Sequence, residues 1–313
     1  RLAALEDVDA VVVEADGSRE RPLKAPAAHE PLVPTCTTHA VTVAGMAALG
    51  QPAAEPWVHR PELAAALAGL QPGAPLTAAA MARLLTHPDG GRKGHPPHAQ
   101  SFLYLNLALG PGATLDEADR RLAAARQVAA LALAQPGYQA VLVGSAASAS
   151  PVQEAHTRAA AIVLAAGQAS RFVGAAQPKQ LLPWGQDNTL VVHVVDIALS
   201  AKTLHEVVVV TGYQAGQVAA ALRQRPARCA VNERWQAGQS SSIQAGLAAL
   251  APNISAALFL LADQPDVQPS TIDALVQSHR ETLAPIVAPL YQGGQRGNPV
   301  LFDRSLFDEL HTL

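Results

Sequence analysis

A disulfide scaffold is excluded at the outset, because the 313-residue chain carries only two cysteines, Cys36 and Cys229, far apart in sequence. Such scarcity fits a reducing compartment, and a cytoplasmic location is expected. Aromatic side chains are also few, with five Phe, four Tyr and three Trp, so Val, Leu and Ala must fill the core. Long runs of Lys and Arg are missing and the formal net charge is −3, which argues against a nucleic-acid face and leaves any anion to a few placed groups. No stretch approaches the roughly 20 consecutive apolar residues of a spanning helix, and no charged-then-apolar leader opens the chain. Neither nucleic acid nor membrane is therefore expected as a partner. What remains is 49% apolar and only 15% charged, the balance of an Ala-rich α/β chain with a packed core.

The length exceeds one ordinary domain and favours two. The small, polar stretch SAASASPVQEAHTR (145–158) places the boundary, giving expected domains at 1–150 and 159–313. In the first, VDAVVVE (8–14) predicts a buried strand, because β-branched residues dominate it and an acidic turn closes it. RERPLKAPAAHEPLVP (19–34) is too rich in Pro for a regular element. HAVTVAG, SFLYLNLAL and GYQAVLVGS predict further strands, and RPELAAALAGL and TAAAMARLLTH predict short helices. From Thr114 to Ala134 a Thr cap and an acidic first turn predict a longer helix. The chain opens at Arg1 and enters a predicted strand almost at once, so an N-terminally truncated α/β domain is expected. His87, His95 and His98 share one loop at spacings that match no zinc pattern and are taken as loop histidines.

The second half alternates strand and helix more regularly. Such alternation implies a Rossmann-like, mostly parallel sheet covered on both faces, with ligands at the carboxyl ends of its strands. The strand AAIVLAA (160–166) leads into GQASRFVGAAQPKQ. Ala165, Ala166 and Gly167 present no bulk, so a ligand can approach the backbone there. Arg171 and Lys179 follow at spacings that let a folded loop bring both cations over a polyphosphate, and Pro178 stiffens the approach. The glycine spacing matches neither a dinucleotide fingerprint nor a Walker loop.

LAAGQASRFVGAAQPKQLLPW (164–184) resembles the signature of the MobA-like nucleotidyltransferases. NERWQAGQSSSIQAGL (232–247), LLADQPDV (260–267) and RGNPVLF (296–302) resemble its MocA branch, the molybdenum cofactor cytidylyltransferases. The resemblance implies transfer of CMP from CTP to the terminal phosphate of the molybdenum cofactor, with release of pyrophosphate. It implies Arg171, Lys179 and Asp263 as catalytic residues, and Asp263 as the ligand of Mg²⁺ or Mn²⁺. Leu164, Ala165, Ala166, Gly167, Lys179, Gly238, Ser242 and Asp263 are the implied nucleotide contacts, and Asn298 an implied contact of the second substrate or the metal. PKQ also resembles the cytidylyltransferases of isoprenoid synthesis, and GTP-using relatives more often carry Gly-Gly where this chain has Ala165-Ala166. Two alternatives therefore stay open: another nucleotide or acceptor, and a non-catalytic carrier or chaperone that delivers cofactor.

VVVEADGSRERPLKAPAAHEPLVP (11–34), WVHRPEL (57–63) and HPDGGRKGHP (87–96) resemble the YqeC family, accessory proteins of selenium-dependent molybdenum hydroxylases. That likeness implies an apo-hydroxylase as a partner. Glu14, Asp16, Ser18, Arg19 and Lys24, at and after a predicted strand end, form a candidate anion site in this half.

Overall fold

The computed structural model describes residues 9–108, 114–168, 178–185, 188–291 and 294–313. The chain forms two compact units, Arg1–His156 and Thr157–Leu313. Among the described residues, no helix is long and apolar enough to cross a membrane.

The first unit runs β1 (Leu23–Lys24), β2 (His39–Gly45), β3 (Val58–His59), α1 (Pro61–Ala68), α2 (Ala78–Thr86), β4 (Gln100–Asn106), α3 (Leu115–Leu133), β5 (Ala140–Gly144) and β6 (Glu154–Thr157). Its four-stranded sheet has the order β2-β4-β5-β6, with β2, β4 and β5 parallel, and β1 pairs with β3. Two of the unit's helices, α2 and α3, start at hydroxyl caps: Thr77 Oγ1 accepts from Ala80 N and Thr114 Oγ1 from Glu117 N, both at 3.2 Å. Leu103 and Leu105 alternate inward from β4 and meet Leu84, Leu85, Val128 and Tyr138 in the core. His95 belongs to this packing, with its ring against Tyr138 and its nitrogens near Thr42 and Ser101 hydroxyls.

Two sequence expectations change here. Residues 9–18 form no strand, and Val11, Val12 and Val13 are exposed, Val12 almost completely. Their branching favours extended backbone, but a strand also needs a neighbour, and these residues join no described sheet. The Pro-rich stretch 19–34, read as irregular, holds the short strand β1, which forms because Leu23 and Lys24 find a parallel partner in Val58 and His59. The polar stretch 145–158 does hold the division between the units, with β6 at its end. Glu154 and His156 of β6 are buried, with Glu154 accepting from Arg126 Nε at 2.9 Å and lying 2.6 Å from His156 Nε2.

The second unit runs β7 (Ala159–Ala165), β8 (Pro183–Trp184), β9 (Asn188–Thr189), α4 (Leu190–Ser200), β10 (Leu204–Thr211), α5 (Ala215–Ala221), β11 (Arg228–Val231), α6 (Gln239–Ala249), β12 (Ala256–Leu261), α7 (Pro269–Thr282), β13 (Ile286–Val287), β14 (Val300–Asp303) and α8 (Phe307–His311). The sheet order is β11-β10-β7-β12-β14-β13. The first four strands are parallel, and β14 is antiparallel to both β12 and β13. Strand β7 is central and feeds two cores by simple alternation. Ala161, Val163 and Ala165 pack with α4 and α7, whereas Ile162 and Ala166 pack with α6 and α8. Helix α6 comes close because Gly246 faces the sheet; a Cβ there would lie 2.5 Å from Ile162 Cγ2.

Candidate active site

The carboxyl edge of β7 is where the chain gathers its unusual groups. Leu164, Ala165, Ala166 and Gly167 leave the strand with every backbone carbonyl occupied. Leu164 O accepts from Ala262 N (3.2 Å) and Ala166 O from Tyr213 N (3.0 Å). Ala165 O and Gly167 O both accept from the amide of Gln180, at 3.1 and 3.2 Å. Gln180 is only 5% exposed, so one buried amide sets the shape of the loop. Gly167 itself is exposed, and a Cβ built on it meets nothing within 4 Å.

Lys179 opens the short turn that contains Gln180, and Asp263 follows the end of β12. Although 84 residues apart, they meet as an ion pair, Lys179 Nζ to Asp263 Oδ2 at 2.8 Å. Their side chains stay 35% and 42% exposed, so the pair holds charge at the edge without sealing it. Arg171 lies outside the described residues. Asn298 precedes β14, whose Val300 stands opposite Phe259 of β12. Antiparallel pairing thus returns Asn298 to the edge that carries Asp263. Its carbonyl accepts from Tyr291 Oη at 2.5 Å.

The other side of the loop is built by β10, β11 and the start of α6. Gly238 caps α6 at φ 105°, a left-handed-side conformation that favours glycine. Asn232, 4% exposed and directly after β11, donates to Ser241 Oγ at 2.9 Å and Ser242 Oγ at 3.0 Å. Its Oδ1 accepts from Arg234 N. Ser241 and Ser242 are themselves buried, so Asn232 fixes the helix start that the nominated Gly238 and Ser242 share. Tyr213 and Trp235 lie with ring centroids 5.5 Å apart. Gly212 lets them approach, since a Cβ there would sit 2.6 Å from Trp235 Cβ. Sequence reasoning passed over Gln180 and Asn232. The available signal was position: Asn232 stands immediately after a strand, and Gln180 is the one polar residue between Lys179 and two leucines.

In the first unit, Asp16 and Lys24 of the nominated anion group come together, while Glu14 and Arg19 are exposed. Lys24 Nζ lies 2.8 Å from Asp16 Oδ2 and 3.0 Å from Glu30 Oε2, and donates to Gly17 O. Its charge is therefore already met by two carboxylates. Ser18 supplies a turn carbonyl to Arg21 N, and Arg60 pairs with Glu30. Desolvation works to raise the Glu30 pKa, but Lys24, the Ala27 N–H and Arg60 outweigh it and hold it at about 2. Glu154 is likewise held at about 2 by His156 and Arg126 against the opposing effect of burial. A carboxyl depressed in the folded state stabilises above its unfolded value and loses that contribution as pH falls through its folded value. The thermal midpoint of this unit should therefore hold above pH 4.5 and decline as the pH drops toward about 2. Circular-dichroism melts of E30Q/E154Q should show a lower midpoint at neutral pH but a flatter acid limb; an unchanged acid limb would remove these pairs as its cause.

Residues 161–313 match the family described as MobA-like NTP transferase domain, and residues 1–62 match the YqeC protein family. YqeC of Escherichia coli (strain K12) is 36% identical over 105 residues, which are 34% of this chain and 41% of that protein. The chain thus spans less than half the length of that relative. Nicotine blue oxidoreductase of Paenarthrobacter nicotinovorans is 35% identical over 151 residues, 46% of this chain and 71% of that protein. Among solved structures, Rv0371c of Mycobacterium tuberculosis H37Rv is similar at 30% identity and a TM-score of 0.44, over 50% of this chain and 77% of that one.

Proposed function

The chain belongs, through residues 161–313, to the MobA-like NTP transferase family, and on that premise we propose that this half transfers CMP from CTP to the terminal phosphate of the molybdenum cofactor. The observation that carries the reading is the ion pair of Lys179 and Asp263 at the carboxyl edge beside the Gly167 loop. A cation and a carboxylate, half-exposed and drawn from distant parts of the chain, are the pair that a metal-bound triphosphate can separate. Lys179 then takes phosphate oxygens and Asp263 a divalent cation.

The donor set fits Mg²⁺ or Mn²⁺ held jointly with substrate. Among the described residues no group of three or more His, Cys, Asp or Glu could cage a metal, and Mg²⁺ is commonly held by one or two carboxylates plus phosphates and water. When bound, the ion supplies charge neutralisation on the phosphates. In the reaction, a terminal phosphate oxygen of the acceptor attacks the α-phosphorus of CTP, the bond to the bridging oxygen breaks, and pyrophosphate leaves. No protein nucleophile is needed. Lys179, with Arg171, steadies the phosphates while charge moves to the leaving group. The Gly167 loop and the start of α6, shaped by Gln180 and Asn232, position the nucleotide. The YqeC-like half goes with delivery of the finished cofactor to an apo-hydroxylase, and a cytoplasmic setting suits that role.

Nucleotide choice separates this reading from its rivals. In titration calorimetry with Mg²⁺, CTP should bind at least tenfold more tightly than GTP or ATP, a gap of about 1.4 kcal/mol. Preference for GTP would replace the cytidylyl assignment. Preference for NADPH would favour a redox role of the kind in the name of the Paenarthrobacter relative.

A further inference from the structure

Trp184 is one of only three tryptophans in the chain, and it is 38% exposed. It stands on the β8–β9 hairpin, five residues after Lys179, with Trp184 paired to Asn188. Its ring is not loose. The centroid lies 5.7 Å from that of His193 on α4, with the planes tilted by 36°. His193 Nε2 in turn lies 3.1 Å from the carbonyl oxygen of Pro265, and as an N–H donor it anchors that ring. Pro265 is two residues beyond Asp263 in the same loop. One continuous chain of contacts therefore ties an exposed aromatic face to the segment that carries the Lys179–Asp263 pair.

The sheet separates this ring from the helix start at Gly238. Helix α4 packs on the face of β7 that bears Val163, and α6 on the face that bears Ile162. Gly238, Ser242, Tyr213 and Trp235 gather with α6, and Trp184 with α4. The phosphate-handling pair stands at the edge between the two faces. A transfer site needs two such flanks, one for the donor nucleotide and one for the acceptor.

We propose that Trp184, backed by His193, is a stacking platform for the flat heteroaromatic ring system of the acceptor substrate. This rests on the reading that residues 161–313 transfer a nucleotide to a pterin-type acceptor. An indole face held by a hydrogen-bonded imidazole gives a rigid apolar surface at small entropic cost, and stacking of a planar heterocycle on it is sequence- and charge-tolerant. Trp184 acts on binding of the acceptor, and the chemistry stays with Lys179 and Asp263.

The test uses the full chain with CTP, Mg²⁺ and molybdenum cofactor. Trp184→Ala should raise the acceptor KM about tenfold, the usual scale of one lost aromatic stack, with the CTP KM unchanged. Trp184→Phe should restore most of the loss, and His193→Ala, which removes the backing ring and its hydrogen bond to Pro265 but leaves the indole, should raise the acceptor KM by less. An unchanged acceptor KM in W184A overturns the platform, and a rise in the CTP KM instead assigns the ring to the nucleotide base. Should the unaltered protein transfer nothing to the cofactor, the proposed function fails and a binding arm decides the platform by itself. Titration with 6-hydroxymethylpterin should quench tryptophan fluorescence in the unaltered protein and not in W184F; equal quenching in both would overturn the platform.

Discussion

Asp263→Asn is expected to lower nucleotide turnover by about 10²–10³-fold, the scale of removing one electrostatic group from a transition state, while the protein keeps its fold. The substitution preserves size and removes only the charge. Its partner Lys179 is about one-third exposed and can turn to water. An exposed ion pair contributes at most ~1 kcal/mol to stability, so the thermal midpoint should barely move. The loss in turnover should lie in kcat, with a smaller change in the KM for CTP, because on the proposed reading the substitution leaves Lys179 in place for the phosphates. Pyrophosphate release measured beside a thermal melt checks both halves of this expectation. Turnover like that of the unaltered protein would remove Asp263 from the metal role, and collapse of the fold would make it a structural residue.

Gln180 carries the second large effect, and it acts on shape. Its amide gives both protons to carbonyls of the loop, at Ala165 and Gly167, from a site that water scarcely reaches. Gln180→Leu fills the volume and leaves both carbonyls without that donor. An unsatisfied buried polar group costs about 1–3 kcal/mol, so a loss of about 2 kcal/mol in the urea unfolding of this unit is expected. The loop should also relax, raising the KM for CTP. Gln180→Glu is the sharper variant. It has almost the same shape, but a carboxylate has no proton to offer two carbonyls, so E should be worse than Leu in both readouts. If Q180E is tolerated as well as the native residue, the amide is not the donor that holds this loop.

The elements that could be read from the sequence are those whose cause is local. Strand β7 shows itself because all but one of its residues are buried, which requires an unbroken run of Ala, Ile, Val and Leu. Helix α3 shows itself because Thr114 caps it and Asp116 and Glu117 stand in its first turn. Val11–Val13 carry the same local preference as β7, yet they lie exposed outside any described sheet, since propensity does not supply a partner. Strand β14 was read as a motif and not as a strand; only its pairing with β12 and β13 turns RGNPVLF into the antiparallel return that brings Asn298 to the edge. For the candidate site, Lys179, Asp263 and the small residues after β7 could be nominated because their chemistry is unusual at strand ends. Their meeting could not, for Lys179 and Asp263 are joined by sheet order. The two buried amides stayed hidden for a related reason: a Gln or Asn in sequence looks solvated until its acceptors, contributed by other segments, close around it.

Coupling of pyrophosphate release to modification of the acceptor is the measurement that bears most directly on the role of residues 161–313. With CTP, Mg²⁺ and molybdenum cofactor, the protein should release one pyrophosphate for each CMP found on the cofactor, and none when cofactor is omitted. Tight binding of cofactor and CTP with no pyrophosphate and no CMP-bearing product would contradict transfer and leave a carrier in its place.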